Sequence, residues 1–201
     1  MEDVKGSDCV LDIHASNIYL TEIPQIRINE LHQDVLVPMA QETNVDLIWV
    51  HGASTVLEST FAHSLNDAGT PVLVVEMGVG MRITQAYGDQ MVDGIFHLMR
   101  EMGIWTGEGK PVKTPIISRD AEDVSYLNAS VSGVFIPAVT HGARLKESEL
   151  IGRIVDPLRG RVLDEVRAPG DGMLFTIRDY PVVVEGSLMG RLLKKEVCGY
   201  E

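Results

Sequence analysis

Short apolar runs, each closed by polar or glycine-bearing residues, organise the first half of the chain. Residues 9–15 (Cys-Val-Leu-Asp-Ile-His-Ala) form an apolar run that turns polar at its end, the pattern of a strand buried on both faces as in a parallel sheet. Residues 45–50 (Val-Asp-Leu-Ile-Trp-Val) repeat it and stop at His51-Gly52, and Val72-Leu-Val-Val75, opened by Pro71, is a third run that ends at Glu76. Between these runs the period changes. Residues 54–68 place Val56, Leu57, Phe61, Leu65 and Ala68 at helical spacing, with Ser54 suited to cap the start and Gly69 to end it. The strongest helical pattern covers 84–102, with Thr84 as N-cap, Tyr87, Met91, Ile95, Leu98 and Met102 on one face, and Gly103 as the stop. Strand-type runs alternating with amphipathic helices predict an α/β fold.

After residue 105 the texture changes. Gly107, Gly109, Pro111 and Pro115 mark a connection, and from about 112 onward short apolar runs are split by turns. Examples are Gly133-Val-Phe-Ile-Pro137, Leu150-Ile-Gly-Arg-Ile-Val155 and Pro181-Val-Val-Val-Glu185. Short strands at near-regular spacing predict a small all-β barrel or sandwich. The expected organisation is an α/β domain at 1–111 followed by a β-domain at 112–201.

Composition narrows the classes. A chain of 201 residues can bury a real core in one large domain or two small ones. The formal net charge of −12 argues against a nucleic-acid partner, because such proteins need a basic surface to displace counterions from phosphates. Two cysteines, Cys9 and Cys198, with no CxxC, suit a reducing compartment rather than a disulfide framework. No apolar stretch reaches the roughly 18 residues that span a bilayer, and Met1-Glu2-Asp3 lacks the charged and apolar regions of a signal peptide. The expectation is a cytoplasmic protein without a membrane partner.

His14 and Glu76 are the leading candidates for chemistry. Each follows a strand-type run, and in open α/β sheets ligands bind beyond the carboxyl ends of strands, so both can meet at one rim. Asp12, two residues before His14, can orient an imidazole and raise its basicity as a metal ligand. A carboxylate beside a metal can take a proton from bound water and pass it to a leaving amine. The residues by themselves leave blander alternatives open: a structural histidine at a strand end, and a turn carboxylate followed by Gly78 and Gly80. The segment 76–81 matches neither a P-loop nor a dinucleotide-binding fingerprint.

Taken together, Val10-Leu-Asp-Ile-His14, then Asn17 and Ile23-Pro-Gln-Ile-Arg27, resemble the Asp-x-His region of the succinylglutamate desuccinylase/aspartoacylase family, deacylases related to the zinc carboxypeptidases. Pro71-Val-Leu-Val-Val-Glu76-Met-Gly78 is similar to the family's later Glu-x-Gly segment, 62 positions after His14. Ser132-Gly-Val-Phe-Ile-Pro137, Gly152-x-Ile154 and Ala168-Pro169-x-x-Gly172 resemble its small β-domain, which is like a biotinyl/lipoyl barrel-sandwich. The resemblance implies a partial carboxypeptidase-like mixed sheet followed by that β-domain. It implies hydrolysis of the amide of an N-acyl amino acid or similar small amide, with one zinc as cofactor. His14 would be the last zinc ligand and Glu76 the general base. Arg27 is a candidate clamp for a substrate carboxylate, because a guanidinium pairs with carboxylate bidentately.

The departures matter equally. The family's His-x-x-Glu zinc motif does not occur among the 13 residues before His14. His51 and His63 do not replace it, since His63 is followed by Asn66 and His51 by Gly-Ala-Ser54. Catalytic zinc normally takes three protein ligands. The chain is therefore expected to be the C-terminal portion of a longer deacylase, with weak or absent zinc binding and activity by itself, and to self-associate as a homo-oligomer through an exposed edge strand or apolar face. The alternative is a non-enzymatic binding or assembly module with a vestigial metal site. A carrier role is disfavoured, because Lys146, Lys194 and Lys195 lack the sequence surroundings of carrier lysines. His97 is assigned to solvent or core packing, and His32 and His141 to the surface. Trp49 and Trp105 are assigned to the core or an interface, and Met91, Met99 and Met102 to the core.

Overall fold

The computed structural model describes residues 2–52, 60–119 and 121–194. Its contacts form two compact units: Met1–His14, Pro24–Met77 and Ile83–Ala121 in the first, and Ala15–Ile23, Gly78–Arg82 and Glu122–Glu201 in the second. The fold is mixed α/β with a small β unit, as the sequence pattern predicts.

The sheet of the first unit is built from β1 (Val10–Ala15), β2 (Leu20–Asn29, of which residues 20–23 belong to the second unit), β3 (Leu47–His51), β4 (Val72–Gly78) and β5 (Ile116–Ser118), in the order β1-β4-β2-β3-β5. Strand β3 runs parallel to both β2 and β5. Four consecutive residues of β3, Leu47 to Val50, are buried, as expected of a central parallel strand covered on both faces. Strand β1 differs from that expectation. It stands at the edge of the sheet, and its last three residues, Ile13 to Ala15, are exposed.

Among the described residues α1 (Gln33–Gln41), α2 (Phe61–Asp67) and α3 (Gln85–Glu101) accompany these strands. Thr84 stands at the N-cap of α3, although its side chain makes no capping bond, and Gly103 follows the helix end with φ 72°. A Cβ on Gly94, midway along α3, would overlap the Thr43 carbonyl. The close approach of helix and chain at that point requires glycine. Helix α2 starts from Thr60, whose hydroxyl accepts from the His63 N–H at 3.3 Å. The N-terminal half of the helix expected over 54–68, including Ser54, Val56 and Leu57, lies outside the described residues.

Side chains alternate across a strand, and the two faces of this sheet are unlike. Ile26, Ile28, Ile48, Val50, Leu73 and Val75 form one buried cluster with Leu36, Val37 and Ala40 of α1 and Met91 of α3. On the other face Val10, Val72 and Val74 pack with Ala62 and Leu65 of α2. Beyond that patch this face carries Asp12 and His14 of β1, Gln25, Arg27 and Asn29 of β2, Trp49 and His51 of β3, and Glu76 of β4.

The second unit contains β6 (Val124–Asn128), β7 (Gly133–Pro137), β8 (Arg144–Leu145), β9 (Leu150–Val155), β10 (Val162–Arg167), β11 (Gly172–Arg178), β12 (Val182–Val183) and β13 (Leu188–Leu193). Strand β11 pairs antiparallel with β13, β8 and the first residues of β2, and β13 pairs with β6. A second antiparallel sheet has the order β10-β9-β7-β12. Phe135, Ile151, Ile154, Leu174, Met189 and Leu192 lie at the centre of the core. Glu22 is fully buried here, paired with Arg191 Nη1 at 2.6 Å and accepting from the Thr176 hydroxyl at 3.2 Å. No helix among the described residues is long and apolar enough to cross a membrane.

Candidate active site

Strand ends build this site. The Val10 N–H donates to the Pro71 carbonyl at 2.8 Å, which joins the starts of β1 and β4. Four residues further along, these strands carry His14 and Glu76. On β2 and β3 the register pairs Arg27 with Trp49 and Asn29 with His51. Asp12, His14, Arg27, Asn29, His51 and Glu76 thereby line one cavity of about 400 Å³. Helix α2 supplies Phe61, Ala62, His63 and Asn66 to its wall, and the single 3-10 turn before α1 supplies His32.

The charged groups of the cavity are arranged in pairs. Asp12 Oδ1 lies 3.0 Å from His14 Nε2, so the carboxylate fixes the orientation of the ring and Nδ1 is the nitrogen left to face a ligand. The His14 side chain is 47% exposed. Arg27 Nη1 lies 3.5 Å from Glu76 Oε1, with the carboxylate largely buried. Asp67 holds two histidines at once: His32 Nε2 on Oδ1 at 3.0 Å and His63 Nδ1 on Oδ2 at 3.3 Å. His51 instead rests on Trp49, with ring centroids 5.1 Å apart. Burial, and secondarily the Arg27 charge, hold the His51 imidazole below its ordinary titration range, against a smaller opposing influence of Glu30.

The residues singled out in the sequence, His14, Glu76 and Arg27, thus lie around one cavity. No motif in the sequence places the other three histidines there. His32, expected at the surface, is half-buried with a side-chain exposure of 22%. In the sequence His51 and His63 stand out only as residues that fail to supply the His-x-x-Glu zinc motif. The signal for His51 was its place at the end of the run 45–50. For His32 and His63 no local signal existed, because Asp67 brings them together across 35 and 4 positions of sequence. His97 pairs with Glu42 at 2.9 Å and His141 belongs to the second unit. Trp49 is buried and Trp105 is partly exposed against Phe96. Met91 is core, whereas Met99 and Met102 are half-buried along a shallow groove beside Cys9 and Leu11. Cys198 lies outside the described residues.

Zinc can be tested against these side chains. Among the described residues no group of three or more His, Cys, Asp and Glu is arranged to hold a metal ion. His14 with Asp12 offers one oriented ligand. The described residues do not by themselves fit a zinc centre of the usual three protein ligands.

No protein-family model matches the chain, and no curated protein is a significant match to it. Solved structures do match. The product-bound ectoine utilization protein EutE (DoeB) from Ruegeria pomeroyi superposes with a TM-score of 0.78 at 16% identity, over 92% of this chain and 57% of that one. A succinylglutamate desuccinylase from Silicibacter sp. TM1040 gives 0.76 at 20% identity, over 91% and 56%. A succinylglutamate desuccinylase/aspartoacylase from Rhodobacter sphaeroides gives 0.76 at 18% identity, over 94% and 59%. The chain carries the fold of succinylglutamate desuccinylase/aspartoacylase family proteins, across a little more than half the length of those relatives.

Proposed function

We propose that the chain is the C-terminal portion of a deacylase that hydrolyses the amide of an N-acyl amino acid or a similar small amide. The observation that supports this most directly is the convergence of His14, Arg27 and Glu76, from three strands, on one cavity. In this reading Glu76 takes a proton from the attacking water and delivers it to the departing amine nitrogen. Its burial and its contact with Arg27 hold it in place on a rigid strand. Arg27 receives a carboxylate of the substrate and so fixes the distance between the scissile bond and Glu76. Asp12 orients His14 as one zinc ligand. The described residues do not complete that site, so the reading assigns the remaining ligands to residues beyond those described, and the 201-residue chain alone is expected to be inactive.

The test is turnover of N-acyl amino acids by the longer protein and its Glu76→Gln variant. Loss of a general base costs about 100- to 10,000-fold in kcat. Turnover of the variant within about threefold of the parent, well under that range, overturns the assignment. The single oriented ligand that His14 and Asp12 provide also suits a second reading, a binding or assembly module with a vestigial metal site. Hydrolysis by the longer protein with stoichiometric zinc excludes that reading. Ligand binding by a metal-free protein without turnover supports it.

A further inference from the structure

We infer that His51 is a specificity-determining residue, which presents a ring N–H to the same substrate carboxylate that Arg27 receives, with Trp49 beneath both as a positioning residue. The inference rests on the deacylase reading for its substrate class, but its geometry stands separately.

Arg27 and His51 line the same cavity from adjacent parallel strands, on the same face and offset by two residues along the register, where they are diagonal neighbours. Trp49 is the register partner of Arg27 and is buried. The Arg27 Cζ lies over its ring at 5.8 Å from the centroid, and the His51 ring lies 5.1 Å away. One rigid indole therefore supports both groups. The cation–π contact holds the guanidinium, and ring contact holds the imidazole.

The other lining histidines are ion-paired: His14 with Asp12, and His32 and His63 with Asp67. His51 instead packs on Trp49, with Arg27 and Glu30 as charged neighbours. Its shift toward the neutral form lets it stand beside a guanidinium without like-charge repulsion while still offering one N–H. Two donors of this kind suit a planar carboxylate, with the guanidinium as charge partner and the imidazole as neutral donor. The substrate class this predicts is an N-acyl amino acid with its α-carboxylate free, rather than an N-acyl amine or an amino-acid amide.

The experiment is a binding titration of the longer protein with an N-acetyl amino acid and with its α-carboxamide analogue. It is followed through the His51 ring protons in NMR, assigned by comparison with His51→Gln. The parent should bind the acid at least tenfold more tightly than the amide, with the His51 signals moving only for the acid. In His51→Ala that preference should fall by about fivefold or more, in the range expected for losing one hydrogen bond. His51→Gln, which keeps an N–H donor, should restore part of it. A Trp49→Leu variant should lower the preference and broaden the Arg27 side-chain signal. Equal affinity for acid and amide, an unmoved His51 signal on acid binding, or an unchanged preference in His51→Ala overturns the inference. Selective acid binding without hydrolysis leaves the subsite standing and removes the deacylase reading.

Discussion

The two faces of the first unit's sheet come from the same strands and have opposite chemistry. One face is closed: Ile26, Ile28, Ile48, Val50, Leu73 and Val75 meet α1 and α3, and most of these side chains are wholly removed from water. Among the described residues the other is closed at its start, where α2 covers Val10, Val72 and Val74. Toward the strand ends it carries arginine, histidine and carboxylate side chains around a cavity. Single residues alternate between the two along every strand. The apolar face holds the strands in place, and the polar face uses that rigidity to set distances between groups from β1, β2, β3 and β4.

The comparison can be broken first on the apolar side. Leu73 is fully buried, and Leu73→Ala should cost about 2–5 kcal/mol, the transfer loss plus the cavity left behind. Urea unfolding of the variant measures this, and a loss below about 1 kcal/mol would show that the face is loosely packed. A change on the polar side should have the opposite sign. Gln25 is fully buried on that face, and neither atom of its side-chain amide has a hydrogen-bond partner among the described residues. An unsatisfied buried amide costs about 1–3 kcal/mol, so Gln25→Met, of similar volume, should stabilise the chain by about 1 kcal/mol. A destabilised Gln25→Met would mean that the amide holds a partner essential to the fold.

The smallest effect is electrostatic. Burial and Arg27 lower the His51 pKa from its ordinary 6.5, so the folded chain binds fewer protons at this ring than the unfolded chain does. Stability from this source is present above 6.5 and is lost as pH falls through the depressed folded-state value. His141, lowered by burial against the opposing charge of Asp179, acts in the same direction in the second unit. The fall in stability between about pH 7.5 and about pH 5.5 should be shallower in His51→Gln than in the parent, by a few tenths of a kcal/mol. An unchanged slope would place His51 in a more solvated setting than the cavity provides.

Some of this architecture was legible in the chain. The runs ending at His51 and Glu76 read as buried strands because doubly covered strands need continuous apolar residues, and β3 and β4 are such strands. The helix 84–102 was legible because its apolar side chains recur on one face. Strand β2, the longest among the described residues, was hidden. Glu22, Pro24, Gln25 and Arg27 interrupt its apolar pattern, and the two charged residues take partners far away in the chain: Glu22 on Arg191, Arg27 against Glu76 and Trp49. Helix α1 was hidden by Pro38 in its interior, where a proline removes a hydrogen bond and argues against helix. The edge position of β1 could not be read either, since an edge is a property of strand order.

The sequence alone determined the alternation of strand and helix, the change to short β runs beyond about residue 112, and the motif-level likeness that singled out His14, Glu76 and Arg27. Those depend on period, turn residues and local order. Only the tertiary structure decided that Arg27 meets Glu76, that Asp67 gathers His32 and His63, and that His51 and Arg27 share one indole. Such contacts join residues far apart in the chain, and they are set by parallel register and by which strands are neighbours. No local pattern of hydrophobic and polar positions encodes either.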